Sequence, residues 1–140
     1  MKKRKQQEER SLLGAWVCDM ANRLMNESGV PMTQSEAFEQ AHLVRRLLEK
    51  LGEGYVVFVY EKNDGELRVA RGTLCKGADP AFDNYVRKTD ENNRKTETLN
   101  FNYWDLERKR FRKFSALHVR CISSAWKWNK ETEEWEYNFK

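Results

Sequence analysis

The stretch from Gly54 to Leu74 constrains this chain more than any other. It holds two β-prone runs joined by Asn63-Asp64-Gly65. Asp-Gly accepts the positive φ angles of tight hairpin turns, so the sequence predicts an antiparallel hairpin here. Along the first run Tyr55, Val57 and Val59 share one face, and Val56, Phe58 and Tyr60 share the other. A strand apolar on both faces belongs in the middle of a sheet. In the second run Leu67 and Val69 alternate with Arg68 and Ala70, and Gly72 marks a bend or bulge.

Two amphipathic helices precede the hairpin. Leu12, Leu13, Trp16, Val17, Met20, Leu24 and Met25 recur at helical spacing, opposed by Asp19, Asn22 and Arg23. That helix should stop between Glu27 and Gly29, ahead of Pro31. Thr33 and Glu36 then form a capping box. Ala37, Phe38, Ala41, Val44, Leu48 and Leu51 give the second helix its apolar face, with Gly52 as its stop. Ahead of both, residues 1–10 carry Lys2, Lys3, Arg4, Lys5 and Arg10 against Glu8 and Glu9, a basic arm or first helical turn. His42, Arg45, Arg46 and Lys50 on the second helix raise a helix-turn-helix reading. That motif needs a third helix to fix its angle, and the joint from Glu27 to Met32 is loose for it. A helical hairpin packed on the sheet, or offered to a partner, is the simpler reading.

Beyond the hairpin, Cys75 to Asn93 is polar, with Ala81, Phe82, Tyr85 and Val86 forming one short turn and residues 87–95 an exposed loop. Thr96 to Trp104 reads as a third strand, Arg110 to Phe114 as a fourth and Val119 to Ser123 as a fifth, with a helical turn at Ser115 to His118. Ser124 to Lys140 reads as a last hairpin. Pairing Trp128 with Trp135 sets Trp126 against Tyr137 and Ser124 against Phe139, an aromatic ribbon. The expected organisation is a basic arm over 1–10, a helical hairpin over 11–52, a small barrel over 53–123 and a hairpin extension over 124–140. The fold class is α+β, mostly β: a small SH3-like (Sm-like) barrel of about five strands, preceded by two amphipathic helices and followed by the aromatic β-hairpin.

Composition excludes more than it selects. Aromatic content of 12% with five Trp argues against disorder. Net charge of +4 suits an acidic partner such as nucleic acid, and equally a soluble protein with a mildly basic surface. Cys18, Cys75 and Cys121 are odd in number and widely spaced, so no disulfide framework is implied; Cys121, in an apolar run, reads as a small buried hydrophobe. His42 and His118 are the only histidines and form no metal-binding spacing. No apolar run is long enough for a membrane span, and Leu12 to Met25 is too polar for a signal peptide, so a cytoplasmic protein without membrane attachment is expected. No cofactor is expected. Catalysis is not expected either. The carboxylates sit beside Lys or Arg rather than among apolar residues, and Ser115 and His118 have no Asp nearby in sequence to complete a triad.

The densest cationic cluster is Arg108, Lys109, Arg110, Arg112 and Lys113, interleaved with Phe111 and Phe114. Arg110 and Arg112 share one strand face about 7 Å apart, a spacing suited to a phosphate backbone. Phe114 breaks the alternation and hints at a bulge. Tyr103 and Trp104 nearby could stack a base. The plain alternative is a solvated strand face whose cations pair with Asp105, Glu107 and Glu97. In the aromatic hairpin Trp126, Trp128, Trp135 and Tyr137 either cover the barrel or form a partner-binding surface, since Trp and Tyr are enriched at binding hot spots.

The run from Val57 to Leu74, the segment Asn102-Tyr103-Trp104-Asp105-Leu106-Glu107 and the following Phe111-Arg112-Lys113-Phe114 together resemble a WYL-type Sm-like/SH3-like barrel family, the second WYL-like family. Ser35-Glu36-Ala37-Phe38 resembles its lead-in helix, and the resemblance spans residues 33–123. It implies an SH3-like barrel from bacteria or their mobile elements. WYL domains proper are regulators that sense ligands or nucleic acid. No literal Trp-Tyr-Leu triplet occurs, so no ligand-site residues carry over. The leading expectation is a nucleic-acid-binding or regulatory accessory protein of a mobile element, with DNA and RNA both open. The alternative is a protein-interaction module that uses the aromatic hairpin and the helical pair.

Overall fold

A computed structural model describes the backbone of residues 2–89 and 99–137, and the side chains of 14–84 and 99–137. Helix α1 (Lys2–Glu27) and helix α2 (Gln34–Glu53) lead directly into strand β1 (Gly54–Glu61). Strand β2 (Leu67–Thr73), helix α3 (Pro80–Thr89), strand β3 (Asn100–Asp105) and strand β4 (Arg110–Ser115) follow. A 3-10 helix (Ala116–His118) then leads to strand β5 (Val119–Asn129) and strand β6 (Glu134–Tyr137). One antiparallel sheet holds all six strands in the order β4-β3-β2-β1-β5-β6. The architecture is the α+β, mostly β arrangement expected, with the five-strand barrel sheet extended by β6.

β1 lies in the middle, as its two apolar faces require. The β1–β2 register runs from Tyr55 opposite Thr73 to Glu61 opposite Leu67. Its turn is closed by Gly65 N–H donating to the Lys62 carbonyl at 2.9 Å, with Gly65 at φ 89°. The inner face of the sheet carries Val56, Phe58, Tyr60, Ala70, Tyr103, Phe114, Val119, Ile122 and Ala125. Val17, Met20, Ala21 and Leu24 of α1 and Ala37, Ala41, Val44, Leu47 and Leu51 of α2 complete one continuous core with it. The helical pair therefore packs on the sheet.

The capping box forms as expected. Thr33 Oγ1 accepts from Glu36 N–H at 3.1 Å, and Glu36 Oε1 accepts from Thr33 N–H at 3.0 Å. Hydrogen bonds to the carboxyl from the Thr33 backbone N–H and then the Thr33 hydroxyl hold Glu36 below its usual range.

Several boundaries differ from expectation, each for a local reason. Residues read as a basic arm continue α1 back to Lys2. Gly52 does not end α2: the helix runs to Glu53, and Gly54 N–H donates to the Lys50 carbonyl. Gly54 is needed because β5 crosses there, and a Cβ would lie 1.7 Å from the Trp126 carbonyl oxygen. Gly72 serves close approach rather than a bulge, since a Cβ would lie 2.6 Å from the Tyr103 ring. Pro80–Thr89 is a full helix, with Pro at its first position and Asp79 before it, so Arg87–Thr89 is helical rather than loop. The β3–β4 ladder runs unbroken from Asn100–Ser115 to Asp105–Arg110, so Phe114 marks no bulge; the register shifts lie between β1 and β5. β5 is one strand through Asn129, so no break separates barrel from hairpin at 123/124. Trp126 pairs with Tyr137 and Trp128 with Trp135 as expected. The expected Ser124–Phe139 pair, the start of the third strand at Thr96 and the loop residues 90–95 reach outside the described residues. Cys121 is exposed rather than buried, because it lies on the outer face opposite Val59.

Candidate binding surfaces

The two ends of the sheet are built differently. At the β4 end, Asp105 closes the turn: its Oδ1 accepts from Glu107 N–H at 2.9 Å and Arg108 N–H at 3.1 Å. Its Oδ2 lies 2.9 Å from Arg112 Nε, an ion pair of two largely buried groups without the alignment of a hydrogen bond. Next to it, the buried Asp79 carboxylate accepts from Trp104 Nε1 at 2.9 Å, Lys109 Nζ at 2.8 Å and Ala81 N–H at 3.1 Å. Burial pushes this carboxyl up, but the Lys109, Trp104 and Ala81 hydrogen bonds outweigh it and hold the group below the usual carboxylate range.

This wiring divides the predicted cationic cluster. Arg112 faces inward beside the core and Lys109 reaches Asp79, so both are committed to the fold. Arg108, Arg110 and Lys113 remain exposed on the turn and edge strand. Tyr103 and Trp104 are core residues and offer no ring face to a base, which corrects their expected stacking role. The pattern misled because helix α3 covers the β3 end with Phe82, which packs on Trp104 and Phe111 and leaves no wet face there.

At the other end the aromatic ribbon folds onto β1. Tyr55 stacks on Trp126 at 5.9 Å and meets the Trp135 ring edge-on at 4.7 Å. Trp135 also packs on Trp128 at 4.9 Å, and Tyr137 on Trp126 at 5.2 Å. Trp126, Trp128 and Trp135 are half-buried, while Tyr137 is 58% exposed. Continuous with them is an apolar strip the sequence left unassigned. Leu67 is 63% and Val69 70% exposed, beside half-buried Val57 and Val59 and exposed Cys121. These residues share the outer face, opposite the helices, with the Arg71 guanidinium 5.3 Å from the Tyr55 ring centre. Alternation alone could not find the strip, because both faces of β1 are apolar and only the packed helices decide which is inside.

A third feature is a cavity of about 350 Å³ at the inner-face end of the β1–β2 hairpin. Tyr60, Arg68, Phe114, Ser115 and His118 are among the residues that line it, together with Glu61 and Asp64. The 3-10 helix that carries His118 is fixed twice: Gln40 Nε2 donates to the Ala116 and Val119 carbonyls at 2.7 and 2.8 Å, and Ala116 N–H donates to the Leu99 carbonyl at 2.7 Å. Among the described residues no trio of His, Cys, Asp or Glu could hold a metal ion, and no helix is long and apolar enough to cross a membrane.

A small antiparallel sheet packed on a helical pair is the arrangement of an SH3-like β-barrel domain. Residues 44–118, more than half of the chain, match the WYL_2 family, described as an Sm-like SH3 beta-barrel fold, and the chain belongs to that family. The matched region runs from α2 to the 3-10 helix, so β5 and the aromatic ribbon lie outside it. No curated protein and no solved structure matches the chain.

Proposed function

We propose that this WYL_2 domain is a non-enzymatic protein-interaction module that binds its partner through the outer face of the sheet. The observation that carries the reading is the uncovered apolar strip of Leu67, Val69, Val57 and Val59, continuous with the Trp126–Tyr137 ribbon. Contiguous exposed apolar surface of this kind marks interaction sites in soluble domains. The ribbon is bordered by exposed Glu131, Glu133, Glu134 and Glu136 against Lys127 and Lys130. That rim repels phosphate and selects a protein partner whose apolar patch is flanked by Lys or Arg.

The test is selection of a displayed peptide library on the wild-type domain, with Leu67→Lys/Val69→Lys as the counter-target. Apolar sequences flanked by basic residues should be enriched and should lose at least about tenfold in affinity for the variant, the loss of a central contact. Peptides that bind both proteins equally would overturn the reading.

A second reading rests on the exposure of Arg108, Arg110 and Lys113 along edge strand β4. These three would hold a nucleic-acid backbone, as a regulatory accessory protein of a bacterial mobile element would need. Duplex binding through three phosphate contacts would weaken with salt at a log–log slope of about −2.7. Fluorescence anisotropy with single- and double-stranded DNA and RNA measures the slope. Arg108→Glu/Arg110→Glu should abolish binding at moderate salt, and unchanged affinity removes this edge from consideration.

A further inference from the structure

Strand β2 has a neighbour along its whole length on one side only. It pairs with β1 from Leu67 to Thr73. On the other side it pairs with β3 at Gly72 and Thr73 alone, opposite Asp105 and Trp104. Next to them the Arg71 carbonyl accepts from Leu106 N–H at 3.0 Å, and there the chain turns away into β4. Among the described residues nothing pairs with the β3-side edge of β2 from Leu67 to Ala70.

Two hydrogen bonds fix which residues face that edge. In an antiparallel ladder, successive residues turn their N–H and C=O alternately to one side and the other. Lys62 N–H donates to the Glu66 carbonyl at 2.8 Å, so Glu66, Arg68 and Ala70 face β1. The Arg71 carbonyl, bonded to Leu106, faces the other way, and Leu67 and Val69 share its phase. Leu67 and Val69 therefore turn both N–H and C=O to an open edge. Their side chains are also the two most exposed large hydrophobics among the described residues. Unpaired strand groups beside apolar side chains are a template for another strand.

Charge selects which strand fits. A second copy of this chain, paired antiparallel so that Leu67 meets Val69, would set Arg68 directly opposite its counterpart, and like charges so placed are destabilising. Arg68 has no carboxylate within ion-pair distance among the described residues to relieve this. The two ends of the edge carry opposite signs. Glu66 is exposed before Leu67, held only by Lys62 at 3.4 Å. Arg71 is exposed after Val69, and the turn that starts at Leu106 carries exposed Arg108. An antiparallel peptide with acids ahead of its paired residues and bases behind them matches both ends.

We propose that the partner adds to the sheet as an extended strand, antiparallel to β2 along residues 67–70. The proposal rests on the outer-face reading above and states how the partner lies there. Two apolar residues of the partner, one position apart, flank Val69 and Leu67 on the outer face and exchange main-chain hydrogen bonds with them. The residue between them faces inward, beside the cavity that Arg68 lines together with Glu61 and Asp64, where mixed charge suits an uncharged side chain.

The experiment is a titration of the full chain with acetyl-Asp-Glu-Val-Thr-Val-Lys-Lys-amide, followed by 1H–15N NMR and hydrogen exchange. With the peptide at about ten times its Kd, the Leu67 and Val69 amides should exchange about tenfold more slowly. The Arg68 and Ala70 amides, already bonded to β1, should change little. An Overhauser contact between the α-protons of Arg68 and the peptide Thr should mark the antiparallel register. N-methylation of the first peptide Val removes the donor to the Val69 carbonyl and should weaken binding about tenfold or more. N-methylation of the Thr, whose N–H points away from β2, should leave affinity nearly unchanged. Val69→Pro removes the edge-facing donor without breaking a β1 hydrogen bond and should match the N-methyl-Val loss. The methylated peptides leave the protein untouched, so they keep the readout if Val69→Pro fails to fold. A probe that does not bind, equal losses from the two methylated peptides, or bound peptide with Leu67 and Val69 unprotected would each overturn strand addition. Library-selected peptides that still lose affinity for Leu67→Lys/Val69→Lys would in that case leave the outer-face reading standing, so the two failures are told apart.

Discussion

The two edge strands of the sheet solve one problem by opposite means. β4 is anchored by charge: Arg112 on Asp105 and Lys109 on Asp79, both near or below the surface. β6 is anchored by rings: Trp135 against Tyr55 and Trp128, and Tyr137 against Trp126. An edge held by ion pairs depends on protonation and tolerates no loss of one partner. An edge held by half-buried rings loses stability in small increments and is indifferent to acid. The same choice sets what each edge has left to offer. β4 keeps Arg108, Arg110 and Lys113 at the surface, and β6 keeps Tyr137 and a rim of glutamates.

The sharpest break in this comparison is Arg112→Ala. It strands the buried Asp105 carboxylate and should cost about 3–5 kcal/mol in urea denaturation; a loss under 1 kcal/mol would mean that the pair does not hold the edge. Next is Asp79→Asn. The folded-state pKa of Asp79 lies below its usual value. Its contribution is therefore present above the unfolded carboxylate pKa, about 3.9, and is lost as pH falls through the folded value. Wild-type stability should drop on acidification between pH 5 and pH 2 (a range set by those values), and the Asn variant should drop less over the same range. Hydrogen exchange should show β3–β4 amides loosening before β5–β6 amides as pH falls. The smallest effect belongs to the ring-held edge. Trp135→Ala should cost about 1 kcal/mol and show the same loss at both ends of that pH range.

The sequence made the sheet legible wherever a local rule had a single solution. Asp64-Gly65, the Thr33–Glu36 box and the Trp126/Trp128 alternation each specify a turn, a cap and a register without help from distant residues. Glycines misled because Gly52 and Gly72 look like a stop and a bulge, whereas a β5 carbonyl at Gly54 and the Tyr103 ring at Gly72 set what is allowed. The binding surfaces were legible only in part. Five clustered cations were visible in sequence. That Arg112 and Lys109 turn to Asp105 and Asp79, the latter some 30 positions away in sequence, depends on tertiary packing. Leu67 and Val69 were read as strand residues, but exposure is settled by which face the helices cover. Arg68 and His118 carried no motif; β2 and the 3-10 helix bring them to one cavity.

Helix α2 ends at Glu53 and β1 begins at Gly54, with no residue between them. The consequence concerns length rather than composition. One residue inserted at this joint would turn the helix about 100° relative to the strand, or slide the strand by one and exchange its two faces. Either shift would separate the apolar stripe of α2 from Val56 and Phe58. Insertions and deletions should therefore be excluded at 53/54 in homologues of this chain.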